Sequence, residues 1–253
     1  MLKQYEKTSN IQNGVSVVVT LFNYSKLIKE CIRSFGSQDV DFPCEMIIVD
    51  DGSTDGGHVV AANEARRCQH DVFIERLDVN RGYSSAKNHG IRMARFSYVK
   101  MIDADDMLYD DCLRNGFEAL KSGCEFVHGP CLVHHWKKNK WVSGGLHRME
   151  SEWHKHKDGS SPYLGIHAQG TMYLRSLHSK FGMYDETMRS KADREMWARF
   201  YHNGVGMCRT DHIMAIYRQH PMQMSRSLEK KSNLKSVNDY FDDVVLRLSL
   251  IHI

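Results

Sequence analysis

Two groups of acidic residues in this chain have the type and spacing to do chemistry. Asp50-Asp51-Gly52-Ser53-Thr54-Asp55 follows the apolar run EMIIV, and Asp103-Ala104-Asp105-Asp106 follows YVKMI. Short apolar runs of this kind read as strands buried on both faces. If the two strands lie parallel in one sheet, both acidic groups leave it at the same edge, where open α/β sheets bind ligands. Carboxylates crowded on one rim repel one another unless a cation sits among them. Hard oxygen donors suit Mg2+ or Mn2+, which commonly take one or two carboxylates together with phosphate oxygens. Either group alone reads equally well as turn and helix-capping residues, since Asp-Gly and Asp-Ser-Thr serve both purposes. Placed together after two buried strands, they favour a metal–phosphate site.

The elements that must position these acids alternate in type. Residues 15–20 (VSVVVT) read as a first buried strand. Ser25 can cap a helix with Leu27, Ile28, Cys31, Ile32 and Phe35 as its apolar stripe. Residues 45–50 form a second strand, and Thr54 or Asp55 opens a helix to about Gln69. A strand at 72–77, a helix at 83–95 and a strand at 98–102 follow. This β-α-β-α-β-α-β order predicts an α/β fold, a Rossmann-like, mostly parallel central sheet flanked by helices. Beyond Phe126 the pattern changes. Residues 131–136 and 140–143 read as a hairpin, 144–163 as a mobile loop, and 173–181 and 193–203 as helices. Residues 213–218 read as a last strand and 228–248 as a final helix. The cationic, aromatic stretches 134–138 and 153–157 read as solvated surface, with an anionic or glycan acceptor or lipid headgroups as alternative partners.

Composition narrows the classes. The chain has 253 residues, 42% hydrophobic and 26% charged, with 34 Lys and Arg against 31 Asp and Glu. That balance is too even to argue for nucleic acid. The 18 Gly and 4 Pro exclude a collagen-like or Pro-rich disordered chain. No apolar run approaches the roughly 20 residues that span a bilayer. The polar start, MLKQYEKTSNIQNG, lacks the apolar core of a secretory signal. A cytoplasmic protein is expected, with peripheral contact at the inner face of the cell membrane left open. Seven cysteines with no Cys-x-x-Cys pair read as buried reduced thiols rather than a zinc site or disulfide framework. The last residues, LSLIHI, match the translation of a common sequencing adapter, so 248–253 are expected to be a non-native tail replacing the natural C-terminus.

Four segments, VSVVVTLFNY, IIVDDGSTDGG, LDVNRGYSSAKNHGI and MIDADDMLYDD, occur in an order and at intervals that resemble the inverting glycosyltransferases of family 2. The resemblance covers about residues 14–220. It implies a single GT-A domain over 1–253, with a nucleotide-sugar-binding half at about 14–130, an acceptor-binding and catalytic half at about 131–227, and a C-terminal helix at 228–247. It implies transfer of a hexosyl or N-acetylhexosaminyl unit from a nucleotide-diphosphate sugar, foremost a UDP-sugar. The acceptor would be a glycan, a lipid-linked saccharide or another hydroxyl, and Mn2+ or Mg2+ would assist the leaving diphosphate. The alternative is a non-catalytic nucleotide-sugar or glycan-binding module on the same fold. A nucleotidyltransferase or a Rossmann dehydrogenase is disfavoured, because no Gly-rich phosphate loop lies near the N-terminus.

The same resemblance implies roles for individual residues. Thr20, Phe22 and Asn23 would line the nucleotide edge, with Phe22 stacked on the base. Asp51 would accept a hydrogen bond from uracil N3–H, work that suits an acceptor-only carboxylate. Arg81 and Lys87 would reach the nucleotide; a solvated helix charge is the other reading of Lys87. Asp103 would contact the ribose or a metal-bound water. Asp105 would ligate the metal, and Asp106 would be a second ligand or a helix cap. Asp193 would be the general base, at the head of ADREMWAR, where Ala192 replaces the family's usual Glu. A helix-start acid favoured by the dipole is the local alternative for Asp193. His167, Gln169, Glu195 and Trp197 are expected on the acceptor side. Arg218 would pair with the diphosphate, and His220 would be a metal ligand or a structural histidine. The FGMYDE turn at 181–186 reads as structural.

Overall fold

The run VSVVVT lies at the heart of the main sheet, where Val15, Val17, Val18 and Val19 are fully buried. β-Branched side chains suit a strand covered on both faces. The computed structural model describes residues 12–138, 140–147, 153–154, 163–164, 166–188 and 191–223. In chain order the first half consists of β1 (Gln12–Leu21), α1 (Ile28–Gly36), β2 (Cys44–Asp50), α2 (Gly57–Ala65), β3 (Asp71–Arg76), α3 (Tyr83–Met93) and β4 (Phe96–Asp103). Then come β5 (Met107–Leu108), α4 (Cys112–Lys121), β6 (Phe126–His128), β7 (Cys131–Lys137), β8 (Lys140–His147), β9 (Trp153–His154) and β10 (Tyr163–Leu164). A 3-10 turn at Ala168–Gly170 leads into β11 (Thr171–Leu174), followed by α5 (Ser176–Phe181), α6 (Ala192–His202), β12 (Met207–Arg209) and β13 (Ala215–Gln219).

Seven strands form the main sheet in the order β12-β6-β11-β4-β1-β2-β3. β4, β1, β2 and β3 run parallel, and β11 lies antiparallel between β4 and β6. The register sets Leu21 level with Asp50 and Thr20 level with Asp103, so both acidic groups emerge beside the end of β1. A second sheet, β5-β13-β7-β8, starts directly after the second acidic group. One apolar cluster packs α1 and α4 against the sheet through Ile28, Phe35, Leu113 and Phe117. Another packs α5 and α6 on Val99, Met101 and Tyr173 through Leu177, Met196, Trp197 and Phe200. Among the described residues, no helix is long and apolar enough to cross a membrane.

Several local expectations are corrected. Ser25 does not cap α1; its N–H donates to Asp55 Oδ2 at 2.8 Å, and no side chain caps that helix. α2 begins at Gly57, later than Thr54 or Asp55, after a left-handed Gly56. Residues 173–174 belong to a strand rather than a helix: both pair with β4, and the buried Tyr173 also pairs with β6. Part of the expected loop 144–163 is paired: Gly144 to His147 continue β8, and β9 pairs antiparallel with β10. Cys124 and Cys208 form a disulfide, while Cys31, Cys44, Cys68, Cys112 and Cys131 are free. The helix expected at 228–248, the 248–253 tail and Ser225 lie outside the described residues.

Candidate active site

The first acidic group is built around two buried carboxylates. Asp50 closes its own turn by accepting from Ser53 N–H at 3.0 Å. Asp51 accepts from Arg81 N–H at 2.7 Å on one oxygen and from Gly82 N–H at 2.9 Å on the other. Gly82 takes φ +95°, ψ 157° to turn its N–H inward ahead of α3, a conformation that glycine adopts without a Cβ penalty. Asp51 therefore ties the end of β2 to the start of α3. Each of its oxygens keeps a further lone pair. Asn23, itself left-handed at φ 59°, binds the first loop to the second: its N–H donates to Ser53 Oγ and its Oδ1 accepts from Thr54 N–H. Phe22 beside it is 43% exposed, an aromatic face open to a ligand.

The second group converges on one point. Asp103, Asp105 and Asp106 each offer an oxygen, and these lie within 4.8 Å of one another. Asp103 is held by three donors: Tyr83 Oη at 2.9 Å, Gln169 Nε2 at 2.6 Å and Thr20 Oγ1 at 3.3 Å. Gln169 is itself fixed, since its carbonyl accepts from the fully buried Lys100 ammonium and its Oε1 from Asp103 N–H. Asp105 pairs with His220 Nε2 at 3.0 Å. Asp106 accepts from Arg218 N–H at 2.7 Å. Burial pushes the Asp105 and Asp106 carboxyls up, and their acidic neighbours push the same way. Three oxygen donors whose ionised forms repel one another match a hard divalent cation, which would relieve that repulsion.

Asp193 comes from the second half of the chain. It stands in the first turn of α6, half-buried, with its Oδ1 accepting from Arg194 N–H. The phenols of Tyr83 and Tyr184 both feel Asp193 and Asp103, and Tyr83 donates to Asp103. Tyr184 is buried and Tyr83 partly so; both are pushed well above the ordinary tyrosine value, chiefly by desolvation and further by these two carboxylates. Lys87 is buried too, its ammonium 3.9 Å from the Tyr83 ring centroid and 5.2 Å from that of Tyr184. It is therefore not a solvated helix charge. Tyr83 of α3 thus bonds Asp103 at the end of β4 and feels Asp193 of α6, while Asp51 holds the backbone just ahead of α3.

The model of glycosyl transferase family 2 matches residues 16–181. The chain belongs to glycosyltransferase family 2. A poly-β-1,6-N-acetyl-D-glucosamine synthase of Staphylococcus epidermidis is 33% identical over 99 residues, 39% of this chain and 23% of that protein. A GalNAc(5)-diNAcBac-PP-undecaprenol β-1,3-glucosyltransferase of Campylobacter jejuni is 29% identical over 119 residues, 47% of this chain and 38% of that protein. The chain thus matches well under half the length of these curated relatives. Among solved structures, S. aureus TarS 1–349 in complex with UDP-GlcNAc superposes with a TM-score of 0.64 at 19% identity, over 83% of this chain and 60% of that one. The mannosyltransferase PcManGT of Pyrobaculum calidifontis, in complex with GDP-Man and Mn2+, gives 0.62 at 17% identity, over 87% and 61%. The fold is GT-A, with its mostly parallel central sheet.

Not every expected residue of this family 2 glycosyltransferase reaches the crevice. Trp197 is 1% exposed and packs edge-on against Phe126 in the core, so it cannot touch an acceptor. Glu195 is buried and chelated by Arg199, which also donates to Phe181 O and Met183 O. That pair anchors α6 to the 181–186 turn, consistent with a structural reading of the turn. Arg218 does not present its guanidinium to a diphosphate. It is 1% exposed, donates to Asp105 O and Leu27 O, and lies 3.7 Å from Glu30. Arg81 contributes its backbone, with its side chain exposed. His167 stacks edge-on with Tyr217, and its Nδ1 accepts from Gln169 N–H. Two residues were missed, Tyr83 and Lys100. A lysine inside the apolar run YVKMI was the available signal for the second. Tyr83 at a helix start gave none.

Proposed function

We propose that this chain is an inverting, UDP-sugar-dependent hexosyl- or N-acetylhexosaminyltransferase. The observation that carries this reading is the convergence of Asp103, Asp105 and Asp106 within 4.8 Å at the end of β4, with Tyr83 bonded to Asp103 and Asp193 among the carboxylates that raise the Tyr83 phenol. The UDP-GlcNAc and GDP-Man in the names of the structural relatives favour a nucleotide-sugar donor. Phe22 stacks on the base and Asp51 accepts from uracil N3–H through a remaining lone pair. Lys87 and the tyrosines line the sugar side. Asp105 and Asp106, with Asp103 and His220 adjoining, would hold Mn2+ or Mg2+. The bound ion supplies Lewis-acid stabilisation of the leaving diphosphate. Asp193 takes the proton of the acceptor hydroxyl as its oxygen bonds to the anomeric carbon, and the bond from that carbon to the diphosphate oxygen breaks. UDP leaves, and the anomeric configuration inverts because attack comes from the opposite face. Residues 14–130 handle the nucleotide and 131–227 the acceptor, within one domain working on the cytoplasmic side of the membrane. A carbohydrate or lipid-linked acceptor is consistent with the names of the curated relatives.

The test is release of nucleotide from a panel of nucleotide sugars in Mn2+. UDP-sugars should be turned over, and UDP should raise the melting temperature only with metal present. Asp105→Ala should abolish transfer and metal-dependent UDP binding together. Asp193→Asn should abolish transfer by at least 100-fold while UDP binding persists. Full function in Asp193→Asn would instead indicate a non-catalytic binding module.

A further inference from the structure

An aromatic row leads from the acidic cluster out along the β7–β8 hairpin. Trp136 and Trp141 are cross-strand partners with ring centroids 5.1 Å apart in edge-to-face contact. The Trp141 ring lies 6.3 Å from the His220 imidazole, and the Arg218 guanidinium sits 5.5 Å from its centroid. His220 in turn bonds Asp105. The contacts therefore run without a break from the candidate metal cluster to Trp136, which is 41% exposed. Lys137, Lys138 and Lys140 stand exposed around that tip. No Asp or Glu occurs in the sequence between Glu125 and Glu150, so the hairpin is purely cationic. An indole presents a negative π face, which suits the apolar, weakly positive C–H face of a pyranose. Lysines at its end act as point charges for phosphate or carboxylate.

We propose that this hairpin is the docking ledge for an anionic saccharide acceptor. It rests on the transferase reading above. The chain's accepting end passes His220 into the crevice toward Asp193, the units behind it stack on Trp141 and Trp136, and their acidic groups meet Lys137, Lys138 and Lys140. An aromatic row that ends at Asp105 favours a saccharide chain entering the crevice over a flat lipid surface.

The test uses the full chain and four probes: mannohexaose, phosphorylated mannohexaose, hexagalacturonate and phosphatidylglycerol vesicles. Binding is read by calorimetry with UDP and Mn2+ present. A phosphorylated or carboxylated hexamer should bind at least tenfold more tightly than the neutral one, and the better of the two distinguishes phosphate from carboxylate. Trp136→Ala should weaken that binding tenfold or more. The triple change Lys137→Ala, Lys138→Ala and Lys140→Ala should erase the preference for charge. A UDP-induced melting shift retained in these variants shows that they are folded. Equal binding of neutral and charged hexamers, or no effect of Trp136→Ala, overturns the ledge. Binding to vesicles alone overturns it in favour of a membrane contact. A UDP shift with no saccharide binding defeats the ledge and leaves the transferase reading standing. Loss of the UDP shift in the unmodified chain defeats that reading instead.

Discussion

At the residue scale, Asp51 shows how one side chain serves both architecture and recognition. It satisfies two inward-pointing N–H groups, so Asp51→Ala leaves both without an acceptor. An orphaned donor costs up to about 1–3 kcal/mol when buried and less at these part-buried bonds, and a lower urea midpoint together with loss of UDP binding is expected. Asp51→Leu should fare no better, since it too offers no oxygen. The acidic cluster was legible in sequence only because two such groups follow two buried strands; either alone would pass for turn or capping residues. Arg218 was not, because its partners Leu27, Asp105 and Asp106 are more than 100 residues away along the chain. Local sequence cannot tell a guanidinium that grips loop carbonyls from one that waits for phosphate. Glu195 misled because residues two apart on a helix point to different sides, whereas Trp197, one turn on from Asp193, is drawn into the core against Phe126.

At the element scale, two contacts decide how the crevice is assembled. α3 lies close enough to the sheet that a Cβ on Gly90 would run into Val18 Cγ1 and stand 3.3 Å from Val49 Cγ2. Gly90→Ala is expected to cost about 1–3 kcal/mol through overpacking, read as a lower melting temperature. The 3-10 turn before β11 presents Gln169 to Asp103 through both ends of its amide. Gln169→Leu removes that clasp, leaves Asp103 N–H unpaired and should weaken Mn2+-dependent UDP binding several-fold, measured by titration. The order of the first seven elements was plain in the alternation of apolar runs and helix periods. β11 was not, because TMYL is short, apolar and followed at once by a true helix, so periodicity alone could not divide the two.

At the scale of the whole molecule, buried histidines couple stability to pH. Burial pushes His128 and His178 down to about 4, from an ordinary value of 6.5. His178 contacts Gly182 O and Tyr173 Oη at 3.3 and 3.2 Å, which suits a neutral ring with one donor and one acceptor. Their folded values lie below the unfolded ones, so the unfolded chain binds protons first as pH falls. Stability contributed by the neutral rings is present above about pH 6.5 and is lost between there and about pH 4, at up to ~1.4 kcal/mol per pH unit for each ring. Urea midpoints from pH 7.5 down to 4.5 should decline accordingly, and His178→Gln should flatten the decline. Finally, β11 is a late stretch of chain inserted between two earlier strands, and it provides the link between β6 and β4. A fragment ending near residue 130 would strip β4 of that neighbour and leave an open strand edge, which invites self-association. The nucleotide-handling portion is thus no detachable cassette: exchanging acceptor modules between such enzymes must carry this strand along, or the donor side will lose its own border.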